Sequence, residues 1–369
     1  MMTPTKLFEP QKLGKITLSN RLLVAPLTRT SAEADGRVGP LMTSYYTNFA
    51  KGGFGAVITE GTYTDQAYSQ CYVNQPGITS VAQQESWRPV VEGVKSHGSK
   101  IIMQLMHGGA LSQCNIYKTE TCGPSAVLPK GTQMTVYRGL GKYKLPKEIT
   151  RFEIEQAIEG FVLSARRAKE AGFDGVEIHG ANGYLLDQFL TNYTNNRTDS
   201  YGGSVAARVR LAKEIAVAVR GEVGSDFVVG LRISQGKVND FEHKWTGGID
   251  DAKIIFGALS DIGLDYIHTT EFEADQPAFG KGETLSALAK RFSVLPVIAN
   301  GSLHEANRAA ALLESGGADF VSLGRGAIAN SNWPNLTREN LLPRDFDPEI
   351  LTPFADLNNA QMFEEKVRA

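Results

Sequence analysis

The feature that most constrains this chain is an alternation of short Val- and Ile-rich runs with stretches of helical periodicity, repeated eight times. The runs fall at residues 21–26, 55–60, 100–105, 174–179, 227–232, 264–269, 296–300 and 319–324. They lack apolar–polar alternation, which is how strands buried on both faces read. Between two of them, Thr150 and Glu153 form a capping box. A stripe of Ile154, Ile158, Phe161, Ala165 and Ala168 follows, and Gly172 stops the helix. A second box is expected from Ser302 and Glu305, and Ser204 is expected to cap a helix reaching Arg220, with Gly221 beyond it. Strand and helix in this order, with no break between halves, predict an α/β fold: a (β/α)8 TIM barrel with 1–369 as one domain. An open doubly wound sheet would place GxGxxG after its first strand. Here that strand runs into Ala25-Pro26-Leu27-Thr28 instead. The connection 108–149 is too long for an ordinary barrel loop and predicts a capping insertion after strand 3. Residues 1–20 predict an N-terminal lid over the barrel bottom.

Charge narrows the function classes. Lys and Arg number 38 against 40 Asp and Glu, a net charge of -2. No basic stripe for nucleic acid and no polybasic membrane anchor is present. Cys71, Cys114 and Cys122 lack CxxC spacing, and no His, Cys and carboxylate cluster has metal-ligand spacing, so neither a disulfide framework nor a metal is expected. Without an apolar span or leader-like start, the expectation is a cytoplasmic protein, monomer or homodimer, acting on a small molecule.

Barrel active sites form where strands end. The seventh and eighth ends carry Gly301-Ser302 and Gly324-Arg325. Turns alone would explain either loop, but glycines freeing N–H groups in both, with Arg325 adding donors, favour a bound phosphate. Gln104 and Arg232 end very apolar strands. A buried guanidinium needs an accepting partner, either a flavin's pyrimidine edge or a barrel charge network. His179, Asn182 and Tyr184 lie within six residues after strand 4. They offer two hydrogen-bond donors for one oxygen and a phenol as proton donor. His268, inside strand 6, reads as a buried structural residue.

With these residues in view, nearly the whole chain resembles the old yellow enzyme family of FMN-dependent ene reductases. The match is strongest over Asn20-Arg21-Leu22-Leu23-Val24-Ala25-Pro26-Leu27-Thr28-Arg29 and from His179 through Gly183-Tyr184-Leu185-Leu186-Asp187-Gln188-Phe189-Leu190 to Arg197-Thr198-Asp199 and Tyr201-Gly202-Gly203-Ser204. The resemblance implies non-covalent FMN across the barrel top, with Pro26, Leu27, Thr28, Gly61 and Gln104 at its ring. It puts Arg232 at the pyrimidine edge and Gly301, Ser302, Gly324 and Arg325 at the phosphate. It implies NADPH or NADH as reductant and an activated alkene as substrate, reduced by ping-pong hydride transfer from flavin N5. His179 and Asn182 would hold the substrate oxygen and Tyr184 would protonate the α-carbon. Thr28 is similar to the family's threonine-containing branch rather than the thermophilic-like one, whose relatives carry cysteine there. Tyr72 matches a substrate-side tyrosine with a one-residue shift. Met106 stands where many relatives carry tryptophan and reshapes a pocket wall. The C-terminal stretch 351–369 lacks a tyrosine that some relatives place near substrate. Reduction of nitro compounds or nitrate esters on the same site is the alternative. A flavin-free barrel isomerase or aldolase would need Glu60 as its base.

Overall fold

The computed structural model describes residues 5–368. Eight parallel strands close into a barrel: β1 (Leu22–Val24), β2 (Ala56–Ile58), β3 (Lys100–Met106), β4 (Gly175–Asn182), β5 (Val228–Lys237), β6 (Tyr266–Thr270), β7 (Val297–Asn300) and β8 (Phe320–Leu323). Each pairs with its chain neighbours, and β8 pairs with β1 through Leu323 and Val24 to complete the circle. Between consecutive strands run α1 (Pro40–Lys51), α2 (Val81–Lys95), α3 (Arg151–Glu170), α4 (Arg210–Val223), α5 (Ile249–Ala258), α6 (Leu285–Ser293) and α7 (Ala306–Glu314). All eight expected strands are present, and the closed barrel matches the expected fold class. No helix among the described residues is long and apolar enough to cross a membrane.

Local chemistry explains most boundaries. At α3 the Thr150 hydroxyl accepts from the Glu153 N–H while the Glu153 carboxylate accepts from the Thr150 N–H, the reciprocal cap read in the sequence. Gly172 takes the left-handed conformation just past its end. The box expected at Ser302 and Glu305 does not form. Ser302 has φ 50 and its hydroxyl donates to the Phe272 carbonyl, while α7 starts later behind an uncapped Glu305. Ser204 does cap, but only the short helix Val205–Arg208, and the chain restarts as α4. Gly221 lies inside α4 because nothing around it forces a break, and Gly224, with φ 74, ends the helix instead.

The barrel bottom is closed by a hairpin of Gln11–Leu13 and Ile16–Leu18. Its Leu13 and Leu18 bury against Leu23, Ile102, Val228 and Phe320. This is the expected lid; Met1–Pro4 of it lie outside the described residues. Two strands run longer than the sequence suggests. β4 continues to Asn182 and β5 to Lys237, with a register irregularity between Ile233 and Lys237. Polar Ser234, Gln235 and Lys237 masked the second extension; they are buried here because each finds a partner. After β3 the chain makes the expected cap from a 3-10 turn at Gly109–Leu111, a two-residue parallel pair of Cys122–Gly123 with Lys147–Glu148, and a second 3-10 turn at Thr135–Tyr137.

Candidate active site

A buried polar floor lies inside the upper barrel. Glu177, on β4, is wholly buried. It accepts from Gln104 at 2.8 Å, from the Tyr266 phenol at 3.0 Å and from His268 Nδ1 at 2.8 Å. His268 Nε2 meets the Ser322 hydroxyl at 2.8 Å. Burial works against the Glu177 charge, but His268, Arg232 and Gln104 outweigh it and hold the carboxyl below its ordinary range. Arg232 donates one guanidinium nitrogen to Asn300 at 2.8 Å. Its Nε is buried and has no partner among the described residues. Leaving such a donor orphaned costs about 1–3 kcal/mol, so Nε is a donor that an acceptor from outside the protein could use. Of the guanidinium nitrogens, one is taken by Asn300.

Beside Arg232 stands His179, also buried. Burial, together with the Arg232 charge, pushes its imidazole down to about 3, so it is neutral across the physiological range. The Ala181 N–H donates to its Nδ1 at 3.3 Å, which places the ring proton on Nε2. The ring lies edge-on to Tyr184, centroids 5.0 Å apart. The Tyr184 phenol shares a 2.5 Å hydrogen bond with Tyr72. Burial and the neighbouring Cys71 raise Tyr184 well above its ordinary value, so it stays protonated. Residues three apart in a regular strand face opposite sides. Asn182 breaks that alternation with φ 62, held by its N–H bond to the Ser234 hydroxyl at 2.8 Å. Gly183 follows, and its N–H donates to Asp187 at 2.6 Å.

At the opposite side of the barrel mouth, the ends of β7 and β8 form a small open cavity lined by Asn300, Ser302, His304, Gly324 and Arg325. Gly301 has φ 142, and a Cβ there would strike the Glu271 carbonyl at 2.2 Å, so only glycine lets the loop fold this closely. Arg325 reaches Ser302 at 3.4 Å and covers the Phe272 ring. The helix Arg325–Ala329 starts at this cavity, with the Ala327 and Ile328 N–H groups donating to the Gly324 carbonyl.

The loop carrying Pro26, Leu27 and Thr28 is fixed from beneath by Glu60. One carboxylate oxygen accepts from the N–H groups of Arg29 and Thr30 at 2.9 and 3.1 Å, and the other accepts from the Tyr46 phenol at 3.1 Å. A catalytic base needs an accessible lone pair, and Glu60 is 0% exposed, so it serves as a clamp. Burial raises its carboxyl to about 7, outweighing the Arg29 and Thr30 bonds. The folded protein therefore keeps a proton that the unfolded chain gives up from the ordinary 4.5 upward. The stability tied to this proton is full below 4.5 and lost as pH rises through 7, on the order of 3 kcal/mol in all. Chemical denaturation of wild type and Glu60→Gln between pH 4 and 8 checks this. Wild type falls relative to the variant as pH rises, and a constant difference would show a carboxylate already ionised at pH 5.

Of the expected residues, the fold unites His179, Tyr184, Tyr72 and Met106 in one apolar cluster with Leu111 and Tyr143. A Cβ on Gly61 would meet the Met106 sulfur at 2.3 Å, so these two share a wall. Ser302, Gly324 and Arg325 form a separate group around the cavity at the ends of β7 and β8, next to Gly301. Glu177 and Tyr137 were missed. Glu177 is a single carboxylate in an otherwise apolar strand, and that anomaly was a readable signal. Tyr137, in the insertion, has no local pattern to mark it. No three His, Cys, Asp or Glu side chains among the described residues stand together as metal ligands.

Residues 6–342 match the model of the NADH:flavin oxidoreductase / NADH oxidase family. The chain is 32% identical over 349 residues to an NADH oxidase of Thermoanaerobacter brockii, across 90% of this chain and 50% of that protein, so it spans half that relative's length. It is 36% identical over 347 residues to a putative 12-oxophytodienoate reductase 5 of Oryza sativa subsp. japonica, covering 90% of this chain and 86% of the other. Among solved structures, the old yellow enzyme homologue from Zymomonas mobilis superposes with a TM-score of 0.84 at 32% identity, covering 96% of this chain and 99% of that one. Morphinone reductase in complex with tetrahydroNAD gives 0.81 at 33% identity, covering 93% of each.

Proposed function

The chain belongs to the NADH:flavin oxidoreductase / NADH oxidase family, among the old yellow enzymes, and from that premise we propose that it is an FMN-dependent NAD(P)H reductase of activated alkenes. The observation carrying this reading is the orphaned Arg232 Nε beside a neutral His179, a buried cationic donor awaiting an accepting ring edge. The Gly301 loop, which a Cβ would block, fits the phosphate of the same ligand. Pro26, Leu27, Thr28, Gly61 and Gln104 would line the ring, Arg232 its pyrimidine edge, and Gly301, Ser302, Gly324 and Arg325 the phosphate. Thr28 supports a place in the threonine-containing branch. FMN, when bound, supplies the hydride that it has taken from NADPH or NADH.

The rest is the work of this chain's residues. The His179 Nε2–H and the Asn182 amide receive the carbonyl oxygen of an enone, where negative charge grows as hydride arrives at the β-carbon. A preorganised donor of this kind contributes about 10²–10³-fold in rate. A neutral imidazole costs no burial of charge before the substrate enters. Tyr72, donating into the Tyr184 oxygen, leaves the Tyr184 proton free for the α-carbon.

Heat release of one non-covalent FMN per chain, followed by turnover of a panel of enones, nitroalkenes and nitrate esters with NADPH and NADH, tests the reading. A colourless protein after reconstitution with FMN would overturn it. Phenol bound to the holoprotein should be held as phenolate by His179 and Asn182 and give a long-wavelength charge-transfer band. His179→Ala with Asn182→Ala should lose the band while keeping FMN, and a surviving band would move the oxygen site elsewhere.

A further inference from the structure

The capping insertion reaches back across the barrel mouth and delivers one aromatic ring to the site. Tyr137 ends the 3-10 turn Thr135–Tyr137, and its ring lies 4.7 Å from that of Tyr72, which bonds the Tyr184 phenol. It packs against the cluster holding Met106 and Tyr184. The Thr28 side chain lies close enough to its phenol to act on it electrostatically. Tyr137 thus stands between the loop after β1 and the proton-donor pair.

The turn is fixed at several points. Arg138, left-handed at φ 64, donates to Asp356 at 2.5 Å and to the Thr30 hydroxyl at 3.3 Å. Its guanidinium lies 4.5 Å from the centre of the Phe354 ring. The Ala355 N–H donates to the Val136 carbonyl at 2.9 Å. The C-terminal segment therefore straps the insertion onto the loop after β1, and the backbone that carries Tyr137 cannot move away without breaking an ion pair. A ring carried on a turn held this firmly acts as a wall, because moving the turn for a larger guest costs the strap.

Resting on the alkene-reductase reading, we propose that Tyr137 is the residue that limits substrate size at this site, supplied by the capping insertion and locked by Arg138 and Asp356. The wall bounds the space above the flavin ring beside Tyr72 and Tyr184 and admits small cyclic enones over those with a second ring.

The test uses FMN-loaded protein and two readouts: kcat/KM for 2-cyclohexen-1-one against a two-ring enone, and binding of phenol against 4-phenylphenol, followed by the charge-transfer band. Tyr137→Ala should raise the ratio of large to small about tenfold or more in both, with FMN content unchanged. Tyr137→Phe keeps the ring and should leave both ratios as in wild type. Tyr137→Trp should lower them, and it carries the test if the alanine variant fails to fold. Ratios unmoved in the alanine and tryptophan variants would overturn the proposal. Wild-type protein that holds FMN and phenol yet reduces no enone would overturn the function reading alone, with the phenol ratios still deciding the role of Tyr137.

Discussion

Tyr184→Phe is expected to slow enone reduction by about 10²–10⁴-fold, the usual worth of a positioned general acid, while NADPH consumption in the first half-reaction is unchanged. The substitution removes one oxygen and keeps the ring that packs edge-on to His179. What it removes is the acidic proton, which burial keeps on the phenol at every working pH. A nitroalkene should suffer less, since its nitronate can leave without a proton. Stopped-flow measurement of the two half-reactions separates these effects. An enone step as fast as wild type would remove Tyr184 from the proton path.

How much of this was legible beforehand depends on how local each signal is. The barrel was legible because each strand buries both faces and must read as an apolar run. The Thr150 cap was legible because both of its bonds lie within four residues. The Ser302 cap failed on the same rule. Gly301 at φ 142 turns the chain so that Ser302 bonds across to Phe272, and no spacing in the sequence records that contact. His179, Asn182 and Tyr184 were legible together because they fall within six residues along the end of β4 and the turn after it. Their support was not: Glu177 meets partners on β3 and β6, and Tyr137 owes its place to residues more than 200 positions away, at Ala355 and Asp356. Chemistry held by one loop can be read from that loop, whereas chemistry held by pairs of distant elements appears only after folding.

Lys237→Ala is the second large effect, and it acts on the segment Asn182–Tyr184 through Asp187. The Lys237 ammonium meets both oxygens of Asp187 at 2.9 and 3.1 Å, with 2% and 0% of the two side chains exposed. Asp187 also accepts from Gly183, between Asn182 and Tyr184, and from the Thr191 hydroxyl. Removing the cation strands a carboxylate in the protein interior, and breaking such a pair costs about 3–5 kcal/mol. Urea unfolding of the holoprotein should show that loss. Asp187, without its ammonium partner, is freer to shift and holds the Gly183 N–H less firmly, so phenol affinity should fall in the fraction that stays folded. The double variant Asp187→Leu with Lys237→Met removes both charges and should recover much of the stability, because an apolar pair of similar volume needs no compensation. It should not recover all of it: the Gly183 N–H is left without its acceptor, a cost of about 1–3 kcal/mol. Phenol binding should stay weak in the double variant, since the anchor of the loop is the carboxylate itself. A single variant within 1 kcal/mol of wild type, or a double variant that binds phenol normally, would show that the pair neither stabilises the barrel top nor positions the site.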